Sequence, residues 1–123
     1  MKILIIEDDP EIRENLQEIL ELENYACITA VNGEEAMAIA IQQLPNLILC
    51  DIHLPGKNGF EILAEIKSSP SLCRIPFAFL TSSPRNNPLF KSQDLYNADA
   101  YLTKPFDVEY LLQEVALLLH PKS

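Results

Sequence analysis

The sequence is poor in positive charge, in clustered cysteine and histidine, and in long apolar runs. Nine Lys and Arg stand against 18 Asp and Glu in 123 residues, a formal net charge of −9. That imbalance excludes binding to nucleic acid through its phosphates, which needs a cationic, counterion-releasing surface. It equally excludes electrostatic adhesion to an anionic membrane. No apolar stretch approaches the roughly 18 residues of a membrane span. The opening Met-Lys-Ile-Leu-Ile-Ile-Glu-Asp-Asp runs into acid too early for a secretory signal. Cys27, Cys50 and Cys73 are odd in number and form no CxxC pair, as expected of space-filling thiols in a reducing cytoplasm. His53 and His120 are too few and too scattered for a zinc centre. There is no internal repeat and no low-complexity tract. No GxGxxG or GxxxxGK[ST] follows the first apolar run, which argues against a nucleotide-binding module.

Present instead are short apolar runs alternating with helix-period segments, and the 48% hydrophobic content argues against disorder. Ile3 to Ile6, Ala26 to Val31, Leu47 to Cys50, Phe77 to Leu80 and Tyr101 to Thr103 read as strands. Pro10 to Leu22 reads as a helix, with Pro10 in its first turn and Ile12, Leu16, Ile19 and Leu20 on one face. Glu34 to Leu44, a segment from Phe60, a short stretch near Leu89 to Tyr96, and a last segment capped by Asp107 read as four more. In the last, Val108, Leu111, Leu112, Val115, Leu118 and Leu119 form the apolar stripe. Continuous apolar strands in strict alternation with helices predict a doubly wound α/β domain with a parallel sheet covered on both faces. The expected organisation is one domain over residues 1–123, with no output domain.

In such a sheet, ligands bind beyond the carboxyl ends of the strands. Glu7, Asp8 and Asp9 follow the first strand, Asp51 the third, Thr81, Ser82 and Ser83 the fourth, and Lys104 the fifth. Crowded carboxylates repel and raise one another's pKa. A hard divalent cation relieves that repulsion, and Mg²⁺ prefers one or two carboxylates with waters and phosphate oxygens. Lys104 suits a phosphate as a point charge, and Thr81 can donate one hydrogen bond to a phosphoryl oxygen. A carboxylate can itself be the nucleophile, forming an aspartyl phosphate. The set forms a coherent phosphoryl-accepting pocket, in which positioning and charge neutralisation do the catalytic work.

Four blocks resemble the receiver domain of two-component response regulators. They are Ile3 to Pro10, Asp51 to Gly59 (Asp-Ile-His-Leu-Pro-Gly-Lys-Asn-Gly), Leu80-Thr81-Ser82, and Tyr101 to Phe106. The resemblance covers the whole chain. It implies a flavodoxin-like (βα)5 fold with strand order 2-1-3-4-5. It implies that Asp51 is the phosphoacceptor, taking phosphate from a histidine kinase or a histidine phosphotransfer protein. Asp8 then resembles the direct Mg²⁺ ligand, helped by Asp51 and the backbone carbonyl of His53, and Glu7 acts through a metal-bound water. Thr81 and Tyr101 resemble the switch pair, and Lys104 the phosphate's counter-charge. His53 and Ser83 resemble the positions that tune aspartyl-phosphate lifetime. The Lys104-Pro105 bond is expected to be cis. Asp9 reads as a helix-start acid.

Two departures stand out. Ser82 to Pro88 carries Pro84 and Pro88, so a fourth helix is expected to start late. The last helix has Glu109 and Glu114 but no Lys or Arg before Lys122, so no homodimer through charged pairs is expected. Tyr110 and Leu117 fall off the core stripe. Other readings are a Mg²⁺-dependent aspartyl-phosphate phosphatase of small molecules and a phosphorylation-independent interaction domain. The phosphatase reading wants an acid two residues beyond the nucleophile, where this chain has His53. The favoured expectation is a cytoplasmic signalling switch with an unidentified downstream protein partner, not an enzyme acting on other molecules.

Overall fold

A computed structural model of the chain describes residues 1–82 and 98–120. Five strands, β1 (Lys2–Ile6), β2 (Ala26–Ala30), β3 (Leu47–Asp51), β4 (Phe77–Thr81) and β5 (Ala100–Thr103), form one parallel sheet in the order β2-β1-β3-β4-β5. Among the described residues, four helices connect or follow them: α1 (Pro10–Leu22), α2 (Gly33–Gln43), α3 (Gly59–Ser68) and α4 (Val108–Leu119). The expected architecture and strand order are thus observed. The helix expected near Leu89 to Tyr96, and the stretch from Ser83 through Pro84 to Pro88, lie outside the described residues.

The inner strands β1, β3 and β4 are almost wholly apolar because alternate residues serve two cores. Leu4, Ile6, Ile48, Cys50, Phe77 and Phe79 point to one face and pack against α2 and α3 through Ala36, Ala40, Ile62 and Ile66. Ile3, Ile5, Leu47, Leu49, Ala78 and Leu80 point to the other and meet Leu16 and Leu20 of α1, then Leu111, Val115 and Leu119 of α4. This is the period of two expected of a strand buried on both sides. Each fully buried Leu or Ile contributes about 1.5–3 kcal/mol relative to exposure.

Local chemistry sets the helix starts. Asp9 caps α1, its Oδ1 accepting from the Glu11 amide at 2.9 Å, with Pro10 at the first position. Asn32 caps α2 through the Glu35 amide. Asn58 and Glu61 exchange two hydrogen bonds in a capping box at α3. Asp107 caps α4 through the Tyr110 amide. Helix α2 runs one residue earlier than expected at each end, because Asn32 is its cap and Leu44 terminates it in the left-handed region at φ 47°. Val108 was expected on the buried stripe of α4 but is 47% exposed. It is the first residue of the helix, and the buried positions begin one turn later at Leu111. Tyr110 and Leu117 are exposed, as expected.

Candidate phosphoryl-acceptor site

The carboxyl ends of β1, β3, β4 and β5 bring the expected residues to one edge. β3 is central, and its last residue, Asp51, lies in register with Leu80. Asp51 is only 6% exposed, Thr81 2% and Glu7 1%. Beside them Asp8 is exposed. Oxygens of Glu7, Asp8 and Asp51 all lie within 4.8 Å of one another. Lys104 arrives from β5, with Nζ donating to Glu7 Oε1 at 2.8 Å and lying 3.4 Å from Asp51 Oδ1. The Lys104 amide donates to the Thr81 carbonyl at 2.9 Å, which ties the lysine to the end of β4. The Lys104-Pro105 bond is cis, as expected.

Burial is costly for these charges, and the shifts follow from it. Burial pushes the Glu7 carboxyl above its ordinary range, the Lys104 hydrogen bond opposes that rise, and the neighbouring Asp51 adds to it. Burial alone would lower the Lys104 pKa, but its hydrogen bond to Glu7 and the charges of Asp51 and Glu7 outweigh burial and raise it. The lysine is therefore a fixed cation inside an acid cluster. Three carboxylates against one ammonium still leave a surplus of negative charge. Hard oxygen donors in this number and proximity fit a hard divalent cation such as Mg²⁺.

The turns around the acids are closely held. The Glu7 amide donates to the Ala30 carbonyl at 3.0 Å, and Glu7 Oε2 accepts from the Asp9 amide at 3.3 Å. The His53 amide donates to Asp51 Oδ1 at 3.3 Å, while its imidazole belongs to an exposed residue. Gly56 turns the following loop at φ 76°. Gly59 does more than start a helix. A Cβ there would stand 2.6 Å from the Asp51 carbonyl oxygen and 2.9 Å from the Ile52 Cα, so only glycine lets α3 approach the end of β3 this closely. Its amide donates to the Ile52 carbonyl at 2.8 Å.

Thr81 leads outward to an aromatic group. Tyr101 packs on Phe79 at 5.6 Å between ring centroids, and Phe79 in turn meets Phe60 at 5.0 Å. Thr81, Tyr101, Tyr110 and Glu114 line a groove of about 390 Å³. Ser83 lies outside the described residues. Sequence reasoning missed the contact of Gly59 with Asp51 and the role of Arg13, whose side chain reaches the acid-bearing turn. The available signal for Arg13 was a lone cation one helical turn after three consecutive acids.

A sequence profile of the response regulator receiver domain matches residues 3–116. The chain belongs to the response regulator receiver family. It is 38% identical to the response regulator Rcp1 of Synechocystis sp., covering 92% of this chain and 82% of that protein. It is also 38% identical, over 96% of its length, to the DNA-binding dual master transcriptional regulator RpaA of the same organism. The chain spans about half the length of RpaA and of the other curated relatives it first matches. In structure, this receiver domain superposes on the response regulator TrrA of Thermotoga maritima, in complex with Mg²⁺ and a beryllium fluoride, with a TM-score of 0.84. That pair is 34% identical over 96% of this chain and 98% of the other. Among the described residues, no helix is long and apolar enough to cross a membrane.

Proposed function

We propose that this receiver domain accepts a phosphoryl group on Asp51 from the phosphohistidine of a histidine kinase or histidine phosphotransfer protein, in a Mg²⁺-dependent reaction. The observation that carries this reading is the convergence of Glu7, Asp8 and Lys104 on a nearly buried Asp51 at the end of the central strand. A carboxylate oxygen of Asp51 forms the new O–P bond as the N–P bond of phosphohistidine breaks. The electron pair returns to the imidazole nitrogen, which takes up a proton. Asp8 and Asp51, with the backbone carbonyl of His53, would hold the cation directly, and Glu7 through a water. When bound, Mg²⁺ offsets the charge of the phosphoryl oxygens.

Lys104 supplies a second positive charge to the same group, and the Thr81 hydroxyl donates to a phosphoryl oxygen. Movement of Thr81 is passed to Tyr101, and the groove that both line with Tyr110 changes shape for a protein partner to read. His53, two residues beyond Asp51 in sequence, and Ser83, two beyond Thr81, set how long the aspartyl phosphate survives attack by water. The domain thereby catalyses only its own phosphorylation and dephosphorylation. The test is beryllofluoride with Mg²⁺, added to wild type and to Asp51→Asn. Wild type binds and its spectrum changes around Thr81 and Tyr101, whereas the variant is silent. Equal responses from the two proteins would overturn the assignment.

A further inference from the structure

Arg13 stands on the first turns of α1, and three of its donor contacts end on three consecutive carbonyls. Its guanidinium Nη1 donates to the Glu7 carbonyl at 3.0 Å and reaches the Asp8 carbonyl at 3.4 Å, and its amide donates to the Asp9 carbonyl at 3.0 Å. The Glu7 amide is already held by Ala30 of β2 and its carboxylate by Lys104. The peptide units that carry the two acids are therefore held from the sheet on one side and by Arg13 on the other. Arg13 is half-buried, and both side-chain contacts leave one Nη1 whose hydrogens are fixed in the guanidinium plane, so they constrain orientation as well as distance.

Resting on the metal site proposed above, we propose that Arg13 is a positioning residue that gives this site its preference for Mg²⁺ over Ca²⁺. Mg²⁺ demands near-ideal octahedral geometry from short bonds, whereas Ca²⁺ accepts longer, irregular coordination. A rigid acid-bearing turn therefore favours the smaller ion, and loosening it penalises Mg²⁺ more. The charge of Arg13 acts in the opposite sense. Removing a cation beside an acid cluster strengthens the binding of both divalent ions alike. The two roles thus predict opposite signs, and one titration separates them.

The experiment is calorimetric titration of the full chain with MgCl2 and with CaCl2, on wild type, Arg13→Ala and Arg13→Lys, with urea denaturation confirming that each is folded. Arg13→Ala is expected to lose up to about tenfold in Mg²⁺ affinity, the low end of the cost of removing an outer-shell partner, because Arg13 holds the backbone of Glu7 and Asp8 and not their carboxylates. Its Ca²⁺ affinity falls by much less, so the Mg²⁺/Ca²⁺ ratio drops. Arg13→Lys keeps the charge but not the planar donors and falls between the two. An unchanged ratio, or tighter binding of both ions by Arg13→Ala, would overturn the inference while leaving the metal site standing. A wild type that binds no Mg²⁺ would overturn the site and the inference together. If Arg13→Ala is unfolded, Arg13→Lys decides alone, and a ratio equal to wild type counts against the role.

Discussion

Lys104 Nζ lies between the carboxylates of Glu7 and Asp51, at 2.8 Å from one and 3.4 Å from the other. The residues are ninety-seven and fifty-three positions apart in sequence, 104 − 7 and 104 − 51, and the parallel sheet alone brings them together. Because Glu7 is almost fully buried, removing its cation leaves a carboxylate with no charge partner at that oxygen. Lys104→Ala is expected to lose about 2–3 kcal/mol in urea denaturation without divalent ions, less than for a fully buried pair because Lys104 keeps some exposure. Added Mg²⁺ restores part of the loss by replacing the missing charge. Unchanged denaturation midpoints would contradict this account of the pair.

The contact of Gly59 with the end of β3 makes a second prediction. A methyl group there collides with the Asp51 carbonyl and the Ile52 Cα, both backbone atoms that cannot swing aside. Gly59→Ala is expected to cost about 1–3 kcal/mol, the usual range for overpacking. It should also slow Asp51 phosphorylation by a small-molecule donor, since Asp51 itself must shift. A stability loss with an unchanged phosphorylation rate would show that the acceptor does not depend on this contact.

At the other end of the sheet, Leu44 closes α2 with φ 47° and is 54% exposed. Its side chain adds little burial, yet its Cβ makes the left-handed backbone costly. Leu44→Gly is expected to stabilise the fold by about 0.5–1 kcal/mol, read as a higher urea midpoint with the same slope. A lower midpoint would mean that the exposed leucine contributes more packing than its exposure indicates.

Two thiols make stability depend on alkaline pH. Burial, with the charge of Glu21, pushes the Cys27 pKa from 9.0 to about 11, and burial pushes Cys50 well above 9.0. Unfolded thiols release their protons near 9, while the folded ones keep theirs. Stability from this source is therefore complete below pH 9 and falls as the pH rises from 9 through 11. Wild type is expected to lose urea midpoint over that window, and Cys27→Ala to lose less. Parallel pH curves for the two proteins would contradict the assignment to Cys27.

Much of this was legible in the sequence, and for identifiable reasons. Ile3 to Ile6 and Leu47 to Cys50 are apolar without a break, so a parallel sheet buried on both faces follows from them directly. Asp9 and Asp107 announce helix starts through their capping chemistry. The gathering of Glu7, Asp8, Asp51, Thr81 and Lys104 was legible because each stands at or just past the carboxyl end of a strand, and the fold brings those ends to one edge. Side-chain hydrogen bonds to backbone carbonyls were not legible. Nothing in the spacing of Arg13 says that its guanidinium folds back onto the Glu7 and Asp8 carbonyls. The closeness of Gly59 to Asp51 depends likewise on how α3 is seated, which no local pattern encodes. The exposure of Val108 was misjudged because helical periodicity carries no information on where along the helix burial begins.

The central claim is that Asp51 is the residue phosphorylated. Wild type and Asp51→Asn are incubated with acetyl phosphate and Mg²⁺ and analysed by intact mass. The account predicts that wild type gains the mass of one phosphoryl group, that chelation of Mg²⁺ abolishes the gain, and that Asp51→Asn gains none. A phosphoryl adduct of equal yield on Asp51→Asn would contradict it.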